Sequence, residues 1–214
     1  MNASPCAATH ASTRPGSFRC LEFKPESVPR RRNAIVWLHG IGERGNDLPS
    51  VAKYGLPAAL SQGRVVSDAD VICPQLEADL EWDPGRVSEL AWSLAKHYET
   101  MVVVGFSLGG LGVCELLARC GPVANLHVAL AAQTPSEVTA AQAGTQFLSL
   151  CGEHDQWPPM AQFVRELRSR GAAPEHAMIP HAGHYISETA LQHPMLTHAL
   201  AGLGIALKWQ GNPI

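Results

Sequence analysis

Along the chain, short runs of apolar and β-branched residues alternate with stretches whose apolar positions repeat at helical spacing. SFRCLEF, NAIVWLHG, DADVICPQ, MVVVGF, HVALAA, TQFLSLCG and EHAMIP have the length and residue types of strands. Between them the periodicity predicts helices over 51–62, 85–97, 108–119, 159–170 and 186–208, the last interrupted near Pro194. Strands alternating with helices in this way predict an α/β fold, a mostly parallel sheet with helices on both faces. Residues 1–16 are rich in Ala, Ser, Thr and Pro without periodicity and are expected to form a flexible tail, leaving 17–214 as one domain. No internal repeat is present.

Composition narrows the classes of function. The 214 residues carry a formal charge of −3, and the one basic cluster is Arg30-Arg31-Arg32, which gives little basis for binding nucleic acid or an anionic membrane surface. No apolar run approaches the ~18 residues of a membrane span. The N-terminal stretch MNASPCAATHASTRPGS lacks the apolar core of a secretory signal, so a cytoplasmic location is expected, with no stable membrane insertion. The six cysteines show neither zinc-ligand nor redox-motif spacing, and several sit in apolar strand or helix contexts that suit reduced, buried thiols. Nothing in the pattern calls for a metal or organic cofactor. Oligomeric state is not legible; Trp37, Trp92 and Trp209 suit a core or an interface equally.

In open parallel sheets functional groups gather beyond the carboxyl ends of strands. Ser107 follows MVVVGF, precedes the apolar-periodic LGGLGVCELLAR, and has glycine two residues before and two after it. Strand, sharp turn and helix around G-x-S-x-G predict a nucleophile elbow, while an N-capping serine with glycines for helix packing would leave the same local trace. A serine nucleophile needs a base, an acid that orients the base, and amides that receive an oxyanion. His184 in HAGHY, after the last strand, stands where the third member falls in Ser, acid, His order, with His181 as its rival. Asp155 in CGEHDQWPP is the acid and Glu153 the alternative. The amides of Ile41 and Leu108 are assigned to the oxyanion hole, and His39 to bracing the loop after NAIVWLHG.

The segments LHGIGERGNDL, PQLEADLEW, GFSLGG, CGEHDQWPP and HAGH, in that order over about residues 33 to 185, resemble the α/β-hydrolase superfamily. Within it they resemble the small phospholipase/carboxylesterase group that includes acyl-protein thioesterases. The resemblance implies a Ser107, Asp155 and His184 triad, oxyanion donors at Ile41 and Leu108, and a small-molecule ester as substrate. It further implies substrate-cleft residues at Gln75 and Trp82; Trp157, beside the acid, is a third candidate. Leu108 stands where thioesterase members usually carry Gln. The link QTPSEVTAAQAG, before the strand that leads to the acid, is too short for a cap domain. The function these features predict is hydrolysis of short- or medium-chain carboxylic esters through an acyl-enzyme. Thioester or lysophospholipid hydrolysis and acyl transfer are the alternatives, with a non-catalytic binding module behind them.

Overall fold

The computed structural model describes residues 8–25, 33–156 and 160–210. The Arg30–Arg32 cluster, Trp157, Cys6 and the first seven residues lie outside them. Among the described residues ten strands run in chain order: β1 (Ala8–Arg14), β2 (Phe18–Lys24), β3 (Asn33–Leu38), β4 (Val65–Ser67), β5 (Asp70–Gln75), β6 (Thr100–Phe106), β7 (Leu126–Leu130), β8 (Gln146–Gly152), β9 (Ala173–Ile179) and β10 (Leu207–Trp209). The helices are α1 (Gly55–Ser61), α2 (Pro84–Leu94), α3 (Leu108–Cys120), α4 (Ala161–Ser169) and α5 (Pro194–Gly202). Eight strands form one sheet in the order β1-β2-β5-β3-β6-β7-β8-β9, and β10 pairs with β4 in a small second one. β1 and β2 are antiparallel to their neighbours, while β5, β3, β6, β7, β8 and β9 run parallel.

The period of two along the central strands sorts their side chains into two cores. Ala34, Val36 and Leu38 of β3 and Met101 and Val103 of β6 face one layer, which contains Val87, Leu90 and Leu94 of α2, Val113, Leu116 and Leu117 of α3, and Phe163 and Leu167 of α4. Ile35, Trp37, Val102, Val104 and Phe106 face the other, with Leu56 and Leu60 of α1 and Leu196 and Leu200 of α5. Burial on both faces is why these strands are almost wholly apolar in sequence. Between β7 and β8 residues 131–145 contain no helix, and no cap domain is inserted there. No helix among the described residues is long and apolar enough to cross a membrane.

Three expectations are corrected. Residues 8–14, assigned to the flexible tail, form β1 and pair along their length with β2. Their sequence has no apolar period because pairing is held by the backbone ladder and by buried Glu22, which accepts hydrogen bonds from Ser12 and from Arg14 Nε (2.7 Å). The expected helix at 51–62 is two pieces, a 3-10 segment at Leu48–Ala52 and then α1. Gly55, which begins α1, has φ +63, and a Cβ there would lie 2.3 Å from the Trp37 indole, so packing against Trp37 decides that break. The predicted 186–208 helix is broken at Pro194 as expected, with His193 before it held extended (φ −67, ψ 133), but the part before the break is reduced to a 3-10 turn at Ala190–Gln192 and only α5 is α-helical. Its last part is strand β10, whose partner β4 also goes unseen in the apolar pattern.

Candidate active site

Ser107 sits between β6 and α3 with φ 55 and ψ −114, a left-handed backbone that a non-glycine residue holds only when its surroundings impose it. The glycines around it explain how. A Cβ on Gly105 would come within 2.0 Å of the Gly109 carbonyl oxygen, and one on Gly109 within 1.9 Å of the Leu38 carbonyl oxygen. α3 is thereby drawn down onto β6 and β3, and the turn between strand and helix has room only for a sharp reversal. The Ser107 N–H donates to Leu130 O (2.9 Å), which ties the turn to β7.

The Ser107 hydroxyl lies 2.9 Å from His184 Nε2. The other ring nitrogen, Nδ1, is 3.1 and 3.2 Å from the two Asp155 carboxylate oxygens. A carboxylate only accepts, so Nδ1 carries the proton and Nε2 is left to accept from the serine hydroxyl. Asp155 is nearly buried (5% side-chain exposure) and His184 partly so (28%). Their loops are stitched together: the Glu153 N–H donates to Ile179 O (3.0 Å) and the His154 N–H to Ala182 O (2.8 Å). Phe106 and Tyr185 flank the imidazole, with ring centroids 5.4 and 5.6 Å away.

The two rivals are turned elsewhere. Glu153 Oε2 accepts from the His181 backbone N–H (2.8 Å), and the His181 ring is 90% exposed. Glu153, His154 and His181 form a separate exposed cluster whose potential ligand atoms lie within 4.8 Å of one another.

The loop after β3 supplies the opposite wall. Gly40 faces the serine so closely that a Cβ there would lie 3.5 Å from Ser107 Cβ. Ile41 begins a 3-10 turn and Leu108 begins α3, so their amides have no helical acceptor behind them, and the N-terminal end of α3 adds a partial positive charge. His39 braces this loop: it is fully buried, its Nδ1 bonds Gly40 O (2.7 Å), and its Nε2 accepts from the Leu76 N–H (3.0 Å). Burial pulls its pKa down to about 4, which keeps it neutral in that role.

Trp82 Nε1 donates to His39 O (3.1 Å), while its side chain and Leu108 line a groove of about 400 Å³ along α3 that also includes Leu111, Gly112, Glu115 and Arg119. Gln75 is buried beneath the 47–50 loop, where its amide donates to Asp47 O (2.7 Å) and Ser50 Oγ (3.2 Å). Trp157 lies outside the described residues.

Two residues at the site escaped the sequence reading. Glu43 is buried (2% exposed), and its Oε1 has no hydrogen-bond partner among the described residues. Burial raises its pKa to about 7 against the opposing pull of the Gly40 N–H and of Lys53. The adjacent charged pair Glu43-Arg44 inside the glycine-rich HGIGERG was the available signal. Tyr185 follows His184 directly and is 82% exposed, an aromatic left uncovered beside the imidazole.

No family model matches the chain, and no curated protein is similar to it in sequence. Among solved structures, a carboxylesterase from Mesorhizobium loti is 19% identical with a TM-score of 0.66, the match covering 91% of this chain and 99% of the other. An α/β serine hydrolase without a lid from Xanthomonas campestris is 16% identical with a TM-score of 0.62 over 100% of both chains. A thermostable esterase is 15% identical with a TM-score of 0.64; 92% of this chain is covered, but it spans only 62% of that protein. The chain thus has an α/β-hydrolase-like fold without an inserted cap.

Proposed function

We propose that the protein is a serine hydrolase that cleaves short- or medium-chain carboxylic esters through a covalent acyl-enzyme. The observation that carries this reading is the unbroken hydrogen-bond chain from Ser107 through His184 to Asp155. His184 Nε2 takes the hydroxyl proton as Ser107 Oγ attacks the ester carbonyl, and the carbonyl oxygen becomes an oxyanion held by the Ile41 and Leu108 amides. Collapse of that intermediate expels the alcohol, which receives the proton from His184. Water then enters, gives a proton to the same nitrogen, attacks the acyl carbonyl, and the returning proton restores Ser107 as the acid departs. Asp155 holds the imidazole in the tautomer both halves require.

The ester class is supported by Leu108 in place of the thioesterase glutamine and by the groove along α3 that Leu108 and Trp82 help to line, and the finer likeness to the small phospholipase/carboxylesterase group by the motif order. The names of the Mesorhizobium carboxylesterase and the lidless Xanthomonas hydrolase agree with that class. A cytoplasmic location belongs to the same reading, supported by five described cysteines that are all free.

The test is a fluorophosphonate probe with peptide mapping, run beside a panel of p-nitrophenyl esters, acyl thioesters and lysophospholipids. Labelling confined to Ser107, lost in Ser107→Ala, and turnover of the oxyesters are expected. No labelling of a folded wild-type chain would remove the hydrolase assignment, and preference for thioesters would move the substrate class.

A further inference from the structure

The Glu153, His154 and His181 cluster plays no part in the serine chemistry, yet it has the donor set of a metal site. Two imidazoles and one carboxylate stand on two loops at the carboxyl end of the sheet, and all three are exposed, so an ion can reach them without opening the fold. Bonds of about 2.0 Å at tetrahedral angles set ligand atoms roughly 3.3 Å apart. Glu153 Oε2 and His181 Nδ1 are already 3.7 Å apart, so closing onto an ion asks little movement of these two.

The loops themselves are fixed in advance. The His154 N–H bonds Ala182 O and the Glu153 N–H bonds Ile179 O, which sets the 153–154 backbone against the 179–182 backbone. Glu153 Oε2 accepts from the His181 N–H, which aims the carboxylate toward the His181 side chain while leaving a lone pair on that oxygen and the whole of Oε1. His181 itself has φ 58, a conformation costly for a non-glycine residue, and its ring is left pointing to solvent.

We propose that Glu153, His154 and His181 bind one divalent transition-metal ion of the Zn²⁺ class, bridging the loop that carries Asp155 to the loop that carries His184. Imidazole-rich donors select Zn²⁺, Co²⁺ and Ni²⁺ over Mg²⁺ and Ca²⁺, which prefer an all-oxygen shell. Three protein ligands leave a coordination position for water. Because the ion joins two segments of the folded chain that are far apart in sequence, it binds the native state and not the unfolded one, and it raises thermal stability. The proposal is independent of the esterase reading.

The test is calorimetric titration of Zn²⁺ into the full-length, tag-free protein, with thermal unfolding measured with and without the ion. One site per chain and a higher Tm with Zn²⁺ are expected, with no binding heat from Mg²⁺. Glu153→Gln, His154→Gln and His181→Gln each weaken binding by at least about tenfold, the scale on which metal-site substitutions act. Each variant must match the wild-type Tm without metal, which separates loss of a ligand from loss of fold; glutamine at 153 keeps the acceptor for the His181 N–H. Ser107→Ala binds Zn²⁺ like the wild type, so a failed hydrolase assay leaves this test intact. Co²⁺ reports the donors: a thiolate charge-transfer band would place the ion on a cysteine and overturn the proposal. So would the absence of Zn²⁺ binding at millimolar concentrations, or affinity unchanged in all three variants.

Discussion

At the scale of single residues the site separates look-alikes by where their hydrogen bonds go. Asp155 and Glu153 are two positions apart, yet Asp155 faces the His184 ring and Glu153 the His181 backbone. Asp155→Asn is therefore expected to lower kcat on a p-nitrophenyl ester by the order of 10⁴-fold, because the amide's NH₂ can face Nδ1 only in the wrong tautomer. Glu153→Gln is expected to stay within a few fold of wild type in the absence of metal. Steady-state kinetics on the two purified variants check both, and a reversal of their order would relocate the acid. The same contrast holds for histidines: His39 is the one nearest the turn in the β3 loop, but both its nitrogens are engaged by backbone.

At the scale of elements the decisive contact is helix α3 on strands β6 and β3. Gly109 lets the first turn of α3 touch the end of β3, and a methyl group there would meet the Leu38 carbonyl oxygen at 1.9 Å, a backbone atom that cannot swing away. Gly109→Ala is expected to cost about 2–3 kcal/mol or more in urea unfolding, the scale of overpacking, and to abolish ester turnover by lifting the elbow. Gly202→Ala, in the last turn of α5 with nothing within 4 Å, is the control. It is expected to be neutral or to stabilise by up to about 1 kcal/mol, since alanine loses less backbone entropy. Equal effects at both positions would mean that the α3 contact is not what holds the turn.

At the scale of the whole molecule, three of the buried titratable groups, His39, His127 and Glu43, make stability vary with pH in opposing senses. His39 and His127 are both pulled by burial from the ordinary 6.5 to about 4, so each stays neutral when folded and binds protons more readily when unfolded. Their contribution is present above pH 6.5 and is lost as pH falls toward 4, on the order of 3 kcal/mol per histidine. Glu43 acts in the opposite sense. Its pKa is raised from 4.5 to about 7, so its contribution is present below the unfolded value and is lost as pH rises through 7. Glu43→Gln is expected to make stability climb more steeply between pH 4.5 and 7 than in the wild type, leaving the variant relatively more stable at pH 8. Urea unfolding across that range reads it, and parallel curves would show that Glu43 titrates normally.

The uncovered cleft is also a property of the whole chain. With residues 131–145 free of helix and no cap above Ser107, the proposed esterase is expected to show hyperbolic kinetics through the substrate's solubility limit. A jump in rate at that limit or on adding micelles would reveal a moving cover.

The α/β fold and the chain positions of Ser107, Asp155 and His184 were legible because they rest on local regularities. Strands buried on both faces must be apolar, an elbow needs glycine at fixed offsets from its serine, and loops at strand ends carry short recurring motifs. What only the tertiary structure decided depends on partners distant in sequence. β1 has no apolar period and exists because β2 and Glu22 receive it, and β10 is a strand only because β4 lies beside it. Gln75 and Trp82 sit in similar motif positions, yet packing turns one under the 47–50 loop and leaves the other along the groove. The raised pKa of Glu43 comes from burial, and the pairing of Glu153 with His181 from two loops that meet across the end of β8 and β9. A one-dimensional pattern records what each element demands of its own residues; it does not record which element comes to lie against which.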